Sequence, residues 1–205
     1  MGLSKALIIQ AAYDFVKDYG VESLSMRKLG DILNVKAMSL YNHIRNKEEI
    51  IDELTDMVIA QIALPDESKN WRNEMRKRAF SAHRVLLDNK WAVMPVVSRL
   101  KSGPGMFAYF DRTLACLRSA GFSLIQADYA INVMDSHIFG FTIIQMNFPI
   151  AEKDYAKAAK EALPYISKAT YPALHELTQL IKGRKYRGIQ DFAFGLDFIL
   201  DGLIG

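Results

Sequence analysis

Residues 36–47, which read KAMSLYNHIRNK, have types and spacing suited to contact with a nucleic acid. Ala37 is small enough to let a backbone approach closely, and both Ala37 and Met38 can touch thymine methyl groups. Tyr41 offers a phenol that can bond a phosphate or a base edge, and Lys47 offers a cation at the start of the next predicted helix. This chemistry requires a short helix that enters the major groove of duplex DNA.

Two amphipathic segments precede the short helix and could position it. In the first, apolar residues recur at i and i+4, Ser4 is a candidate N-cap, and Gly20 ends the helix. The second is predicted over Met26–Leu33, with Ser25 as its cap. Asn34 follows, at the point where a left-handed residue would turn the chain.

The short helix itself is predicted over Lys36–His43, with Leu40 and Ile44 pointing back as core anchors. Only the first two turns of a recognition helix reach base edges, so a short helix is sufficient. Asn46 and Glu49 resemble a capping box that opens the next helix. Three helices in quick succession, with a turn before the third, are typical of helix-turn-helix geometry.

The segment SLSMRKLGDILNVKAMSLYNHIRNKEEII resembles the DNA-binding signature of the tetracycline-repressor (TetR) family. The family pattern has an arginine- and leucine-bearing helix, a turn, a recognition helix with leucine and tyrosine, and a closing Asn/Asp-Lys. The match covers about residues 5–62. The resemblance implies a regulator that binds operator DNA through this segment and a ligand through the rest of the chain.

The resemblance, together with the helix positions, implies a role for each matching residue. The residues expected to read bases are Arg27, Ala37, Met38, Ser39 and Asn42. The residues expected to contact phosphates are Ser25, Lys36, Tyr41, His43 and Lys47. Gly30 departs from the family's usual alanine, and a glycine inside a helix costs about 1 kcal/mol unless close packing requires it.

A three-helix bundle can also be purely structural, because such bundles occur in proteins that never touch DNA. Tyr41 and Lys47, both at phosphate positions, favour DNA binding here. Residues 1–47 hold seven Lys or Arg against four Asp or Glu, a local charge of +3, which supports the same interpretation without deciding it.

Pro65 ends the fourth helix, and periodicity predicts a second set of helices beyond it. They lie near residues 70–88, 91–100, 105–120, 123–148, 152–163, 171–182 and 187–203, with a turn at 102–105. We therefore predict an all-α fold with a helix-turn-helix DNA-binding head (1–47), a connecting helix (47–63), and an effector-binding and dimerisation domain (64–205).

The family layout implies a homodimer formed through the helices near residues 123–148 and 187–203. Met- and aromatic-rich positions in the second domain are candidates for contact with a largely apolar effector, namely Trp91, Met94, Phe107, Phe110, Met134, His137 and Phe141. Core packing explains such residues more often than a ligand site does, and both interpretations stay open.

Asp135, Ser136 and His137 invite a catalytic interpretation. Consecutive helical residues point about 100° apart, so these three cannot form a hydrogen-bonded triad with one another. A polar patch in a ligand pocket or a dimer interface is the favoured interpretation.

The predicted helix at 70–88 carries a basic run made of Arg72, Arg76, Lys77 and Arg78. We interpret it as a solvated helix face on which Glu74 and Arg78 form an i, i+4 pair. Binding of an anionic effector is the alternative.

Composition limits the remaining function classes. A single cysteine, Cys116, excludes an internal disulfide framework and fits a reducing cytoplasm. No 18-residue apolar stretch is free of charge, so no membrane span is expected. The four histidines lie at least 38 residues apart and no Gly-rich phosphate loop occurs, so no metal, cofactor or catalytic site is expected.

These features predict a cytoplasmic transcriptional repressor that binds a palindromic operator as a homodimer and is released by a small molecule. One alternative is an effector-independent regulator or an activator with the same head. Another is a helical small-molecule-binding module whose DNA-binding head is vestigial.

Overall fold

The computed structural model describes residues 2–98, 103–186 and 191–203, apart from the side chain of Glu152. The α-helices are α1 (Lys5–Tyr19), α2 (Met26–Ile32), α3 (Ala37–Leu40), α4 (Lys47–Ile59), α5 (Trp71–Asp88), α6 (Val93–Ser98), α7 (Pro104–Ser119), α8 (Leu124–Asn147), α9 (Tyr155–Ala162), α10 (Pro172–Lys182) and α11 (Phe192–Gly202). Short 3-10 helices cover Val21–Ser23, Lys90–Ala92, Glu152–Asp154 and Leu163–Tyr165. None of the described residues forms a strand, and the predicted all-α class is confirmed.

Local side-chain chemistry sets where the first helices begin and end. Ser4 Oγ and Ser25 Oγ each accept a hydrogen bond from the backbone N–H three residues on, at 3.3 and 3.1 Å. Gly20 follows α1 with a φ of 77°, and Asn34 follows α2 with a φ of 53°. Glycine and asparagine adopt this left-handed region more readily than other residues. The predicted caps and the predicted turn at Asn34 are confirmed.

The start of α4 differs from a standard capping box in one bond. Asn46 Oδ1 accepts from the Glu49 N–H at 2.9 Å, as predicted. The Glu49 carboxylate, however, accepts from the N–H of Arg45 at 2.9 Å, one residue before the cap. Both bonds use backbone donors that precede or begin the helix, so the predicted box is present with its return bond shifted by one residue. The regular helix then ends at Ile59, four residues before the predicted end at 63.

The chain forms two compact units, Met1–Phe139 and Gly140–Gly205, and α8 contributes residues to both. In the first unit, α1 to α4 enclose an apolar core. Its buried members are Ile8, Ile9, Ala12, Phe15, Val16, Leu24, Leu29, Leu40, Ile44, Ile50, Ile51 and Leu54. This core holds the head together, whereas the functional boundary near residue 64 stays a prediction.

In the second unit, α9 and α10 pack against each other. The ring of Phe141 meets that of Phe192 edge-on, with centroids 5.4 Å apart, and Phe148 meets Tyr155 in the same way at 5.5 Å. These pairs connect the end of α8 to the elements that follow it.

Three predicted elements need correction. The predicted turn at 102–105 is wrong in part, because Gly103 is the N-cap of α7 and Pro104 is its first residue, where the fixed φ of proline favours a helix start. The predicted helix at 91–100 is a 3-10 turn followed by the short α6, and residues 99–102 lie outside the described residues. Of the predicted helix at 187–203, residues 187–190 lie outside the description and α11 begins at Phe192.

Within the described ranges, no helix is both long and apolar enough to cross a bilayer. The same residues contain no group of three or more His, Cys, Asp or Glu side chains placed to hold a metal ion. Cys116 is a free, buried thiol on α7.

Candidate nucleic-acid interface

The short helix α3 is held by two anchors at its C-terminal end. Leu40 and Ile44 are fully buried in the core of the head. The Ile44 N–H donates to the Leu40 carbonyl at 3.0 Å, so the turn after α3 continues the helical path for a few residues. Burial of two large aliphatic side chains contributes roughly 3–6 kcal/mol. This explains how a helix of four residues keeps its place without intrinsic helical stability.

The turn between α2 and α3 depends on close backbone approach at Gly30. A Cβ added at Gly30 would lie 2.8 Å from the carbonyl oxygen of Val35 and 3.1 Å from the nitrogen of Ala37. The Val35 N–H also donates to the Gly30 carbonyl at 2.9 Å. Glycine is therefore required here because the start of α3 rests against it, and the departure from alanine has a packing reason.

The residues predicted to read bases lie on the outward side of α2 and α3. Met38 is 74% exposed, and Arg27 and Asn42 are also exposed. Ala37 and Ser39 are half-buried. The structure therefore brings four of the five onto one short helix and its following turn, with Arg27 on the first turn of α2.

The residues predicted to contact phosphates surround that surface. Tyr41 is 46% exposed, Lys36 and His43 are exposed, and Lys47 is half-buried at the first position of α4. Ser25 is exposed, and its oxygen already caps α2 by accepting from the Lys28 N–H. The hydroxyl hydrogen of Ser25 is not used by that bond. All five side chains reach solvent at least in part, and their contacts with DNA stay predictions.

Acidic residues at the start of α4 are compensated inside the head. Lys5 Nζ contacts Glu49 at 3.0 Å and Glu53 at 2.6 Å, and Arg45 Nε contacts Glu49 at 3.0 Å. The backbone N–H of Arg45, followed by the ammonium of Lys5, lowers the pKa of Glu49 to about 2. Lys5 and Arg45 are thus committed to carboxylates, whereas Arg27 and Lys36 face solvent.

A second feature of α4 connects it to the helix α7. Asp56 Oδ2 accepts from the Gly105 N–H and Oδ1 accepts from the Met106 N–H, both at 2.9 Å. These N–H groups belong to the first turn of α7, where no intrahelical acceptor exists. A Cβ on Gly103 would lie 2.6 Å from Asp56 Cγ, so glycine permits this contact. Asp56 was not identified from the sequence, although the Gly103-Pro104-Gly105 run signals a close approach at a helix start.

The seven candidate effector residues differ in their burial and in what they pack against. Met134 is completely buried in the core, and His137 is half-buried on the same helix. Phe107 and Phe110 are exposed on α7. Phe141 packs on Phe192 in the second unit.

The remaining two candidates, Trp91 and Met94, lie beside the head. They line a cleft of about 510 Å³ whose wall also includes Gly20, Lys47, Ile51 and Ser98. Trp91 packs against the core of the head, and its ring meets Tyr13 edge-on at 6.5 Å. Trp91 therefore stabilises the head, and contact with an effector stays a prediction.

The second unit contains a separate apolar pocket of about 330 Å³. Its lining includes Phe148, Tyr155, Ala159, Leu177 and Ile181. None of the seven candidate residues lines it. The high apolar content of α9 and α10 on one face is the sequence signal that could have indicated it.

Arg78 corrects the interpretation of the basic run as a solvated face. Its side chain is completely buried, forms an ion pair with Asp135, and its Nη2 donates to Tyr109 Oη at 2.5 Å. Tyr109 in turn donates to Asp135 Oδ1 at 2.8 Å. The predicted pair with Glu74 is wrong, because Arg78 turns inward. Asp135 belongs to a buried ion network with Arg78 and Tyr109.

The geometry of α1 to α4 defines a class of protein. Helix α2 packs against the short α3, and α1 packs against α2 and α4. The anchors Leu40 and Ile44 are buried in the shared core, whereas Met38 and Tyr41 are exposed. This is the arrangement of a helix-turn-helix DNA-binding protein, in which the second helix of the motif enters the major groove.

Comparisons with known proteins identify the family within that class. A model of the tetracyclin repressor-like C-terminal domain matches residues 64–204. The chain is 31% identical over 173 residues to an HTH-type transcriptional regulator from Saccharopolyspora erythraea, covering 84% of this chain and 73% of the relative. The chain therefore belongs to the TetR family and is a DNA-binding transcriptional regulator.

A further relative agrees with that assignment, and a solved structure shares the fold. The chain is 27% identical over 203 residues to the class D tetracycline repressor protein from Escherichia coli, covering 98% of this chain and 88% of the relative. Its fold matches that of ActR from Streptomyces coelicolor in complex with actinorhodin, with a TM-score of 0.84, 23% identity, and coverage of 98% and 95%.

Proposed function

We propose that this regulator is a homodimeric repressor that binds a near-palindromic operator and releases it when a small molecule binds to residues 64–205. The observation that carries the proposal is α3 itself. Its anchors Leu40 and Ile44 are buried while Met38 and Tyr41 face solvent, so the helix can enter a groove without unfolding the head.

The assignment of DNA contacts follows from position on this surface. Ala37, Met38, Ser39 and Asn42 would face base edges from α3, and Arg27 would reach them from α2. Tyr41, His43 and Lys36 would hold phosphates on either side, and Lys47 would do so at the N-terminus of α4, where backbone N–H groups favour an anion. Ser25 would add one hydroxyl donor at the start of α2.

Exposed apolar side chains support dimerisation through α8 and α11. Phe194 and Phe198, one turn apart on α11, are 71% and 76% exposed. On α8, Tyr129 and Val133 form a similar exposed pair one turn apart. Exposed apolar surface of this kind marks an interaction site. A two-fold dimer would place two α3 helices about 34–36 Å apart, in successive major grooves.

Release of DNA by an effector follows from thermodynamic linkage between the two binding sites. It needs a structural connection, here called the joint, between the DNA-binding head and the effector-binding domain. A molecule that binds better to the conformation with low DNA affinity shifts the population away from DNA by its differential affinity. We assign the joint to Asp56, because this residue of α4 caps α7 with two hydrogen bonds of 2.9 Å. ActR, a protein of the same fold, has been solved in complex with actinorhodin, which supports the binding of a small molecule by this chain. We place the protein in the cytoplasm, together with its operator.

Titration of the purified protein on its own upstream DNA tests the proposal. We expect saturable binding whose logarithmic affinity falls linearly with logarithmic salt concentration. Lys36→Ala should reduce the salt slope by about 1 and weaken binding to every sequence, since it removes one phosphate contact. Lys160→Ala, an exposed lysine on α9, is the matched control and should leave both quantities unchanged.

The same titration separates the alternatives. A protein that binds no upstream fragment at low salt would have a vestigial head, and the repressor assignment would be wrong. If the protein binds its operator and no compound from a broad thermal-shift screen weakens that binding, the protein is an effector-independent regulator.

A further inference from the structure

The guanidinium of Arg78 has donors that its own network does not use. The hydrogen bonds from Arg78 to Asp135 and Tyr109 both come from Nη2. Its Nε and Nη1 are buried, and neither has a hydrogen-bond partner among the described residues. Buried N–H groups without acceptors are unfavourable by about 1–3 kcal/mol each. Two such donors on one completely buried side chain therefore call for an acceptor that the described residues do not supply.

The network sets the charge that such an acceptor can carry. Arg78 and Asp135 form a buried ion pair, and burial raises the pKa of the Tyr109 phenol well above its ordinary value, so Tyr109 stays a neutral hydroxyl. The three side chains together carry no net charge. A cation would be repelled by the unpaired Nε and Nη1 edge of the guanidinium, and an anion would face Asp135 after losing its own hydration. A neutral oxygen acceptor has neither disadvantage.

We propose that Arg78 is the polar anchor of the effector site and that the effector is an uncharged, largely apolar molecule with a carbonyl-type oxygen. The oxygen accepts from Nε or Nη1 of Arg78, and the apolar body displaces side chains of α5 and α7. This inference rests on the proposed function and adds the chemical class of the ligand.

In this proposal the ligand approaches Arg78 from the side of α7. The ring of Tyr109 covers the guanidinium, with Arg78 Cζ 4.3 Å from its centroid. Phe110 meets the Tyr109 ring edge-on at 5.6 Å and is exposed to solvent. A ligand therefore reaches the free donors by moving Tyr109 and, with it, α7. Asp56 of α4 accepts two hydrogen bonds from the first turn of α7. A movement of α7 is therefore transmitted to α4, which packs in the core of the DNA-binding head.

The apolar pocket of the second unit gives no comparable prediction. Its lining is almost wholly apolar, so it selects no functional group. The cleft beside Trp91 has cations and acids on its wall and favours no charge. Arg78 has two buried donors without a partner among the described residues, and it therefore specifies a ligand class.

A matched set of naphthalene derivatives tests the proposal on the full-length protein without DNA. The probes are 2-acetylnaphthalene, 2-ethylnaphthalene, 2-naphthoate and 2-naphthylmethylammonium, and their dissociation constants are measured by calorimetry. The ketone should bind about tenfold or more tightly than the ethyl compound of the same shape, as expected for a hydrogen bond from a charged donor. The carboxylate and the ammonium should both bind more weakly than the ketone.

Replacement of the whole network by apolar residues provides the decisive variant. In the triple variant Arg78→Met, Tyr109→Phe, Asp135→Leu no charge is left buried and unpaired, a change that proteins often tolerate. It should bind the ketone and the ethyl compound within about threefold of each other. Arg84→Met is the matched control, because Arg84 lies exposed on the same helix, and it should keep the wild-type preference. If the triple variant does not fold, Arg78→Lys removes Nε and Nη1 while it keeps a positive charge near Asp135.

Three results would overturn the proposal: no binding of any probe, a preference for the carboxylate, or a ketone preference that survives loss of Arg78. Ordered water on Nε and Nη1 in a crystal soaked with the ketone would also overturn the proposal. Each leaves operator binding untouched, so the proposed function is judged separately by the DNA titration.

Discussion

Replacement of Asp56 by alanine should detach α7 from α4. The carboxylate of Asp56 accepts from the N–H groups of Gly105 and Met106, each at 2.9 Å. It thus acts as an N-cap supplied by another helix, and the absence of a Cβ at Gly103 leaves room for it. Loss of an N-cap costs about 0.5–2 kcal/mol, and hydrogen bonds to charged groups contribute about 1.5–3 kcal/mol each.

Asp56 is half-buried, so part of this energy is recovered by water in the variant. We expect a loss of about 2 kcal/mol, which corresponds to a fall in Tm of about 4–8 °C for a chain of this size. Asp56→Asn keeps one acceptor oxygen and should lose about half as much. Urea unfolding followed by circular dichroism measures the free energy, and amide hydrogen exchange measures the protection of Gly105 and Met106.

Asp111→Ala is the matched control, because Asp111 is an exposed aspartate on α7. It should change the free energy of unfolding by less than about 0.5 kcal/mol. A loss below that value for Asp56→Ala, with unchanged exchange at Gly105 and Met106, would refute the assignment of Asp56 as the joint between α4 and α7.

Gly30→Ala should destabilise the head by about 1–3 kcal/mol in a thermal melt, because the new methyl would lie 2.8 Å from the Val35 carbonyl; an equal or higher Tm would contradict this packing. Glu49 has a folded-state pKa of about 2 against an ordinary value of 4.5, so its contribution to stability is present above pH 4.5 and is lost as the pH falls towards 2. Acid unfolding of Glu49→Gln should therefore show a weaker pH dependence between pH 5 and 2, and identical profiles would exclude the bonds from Lys5 and the Arg45 N–H. Burial raises the pKa of the Cys116 thiol, so a thiol reagent at pH 8 should react at least about tenfold more slowly with the native than with the urea-unfolded protein; equal rates would show that Cys116 is accessible.

The DNA-binding head could be predicted because its determinants are local. Ser4, Ser25 and Asn46 cap helices through bonds to residues three positions away, and Asn34 turns the chain by its own φ. Leu40 was identified as an anchor because the short helix predicted over Lys36–His43 needs one. Such features depend on a few consecutive residues, so the sequence displays them directly.

The features that involve the larger helices depend on partners far apart in the chain. Arg78 lies 31 residues from Tyr109 and 57 from Asp135, and Asp56 lies 49 from Gly105. A basic residue among other basic residues is normally solvated, so the inward turn of Arg78 follows only from tertiary packing. Asp135, which lies among apolar residues in the middle of α8, was the available signal that a buried cation should exist.

The candidate effector residues illustrate the same limit. Met134 and Phe107 have similar character in the sequence, yet one is completely buried and the other is 63% exposed. Helical periodicity shows that a residue belongs to an apolar face but does not show which element covers that face.

Operator scanning tests the central claim that α3 reads DNA with its exposed side. Each base pair of the operator is substituted in turn, and the affinities of the wild type, Met38→Ala and Tyr41→Phe are measured by fluorescence anisotropy at one salt concentration. Met38→Ala should change the preference at one or two positions of each half-site, whereas Tyr41→Phe should weaken binding evenly across all sequences. Wild-type affinities for both variants, or equal losses that ignore the sequence, would contradict the claim.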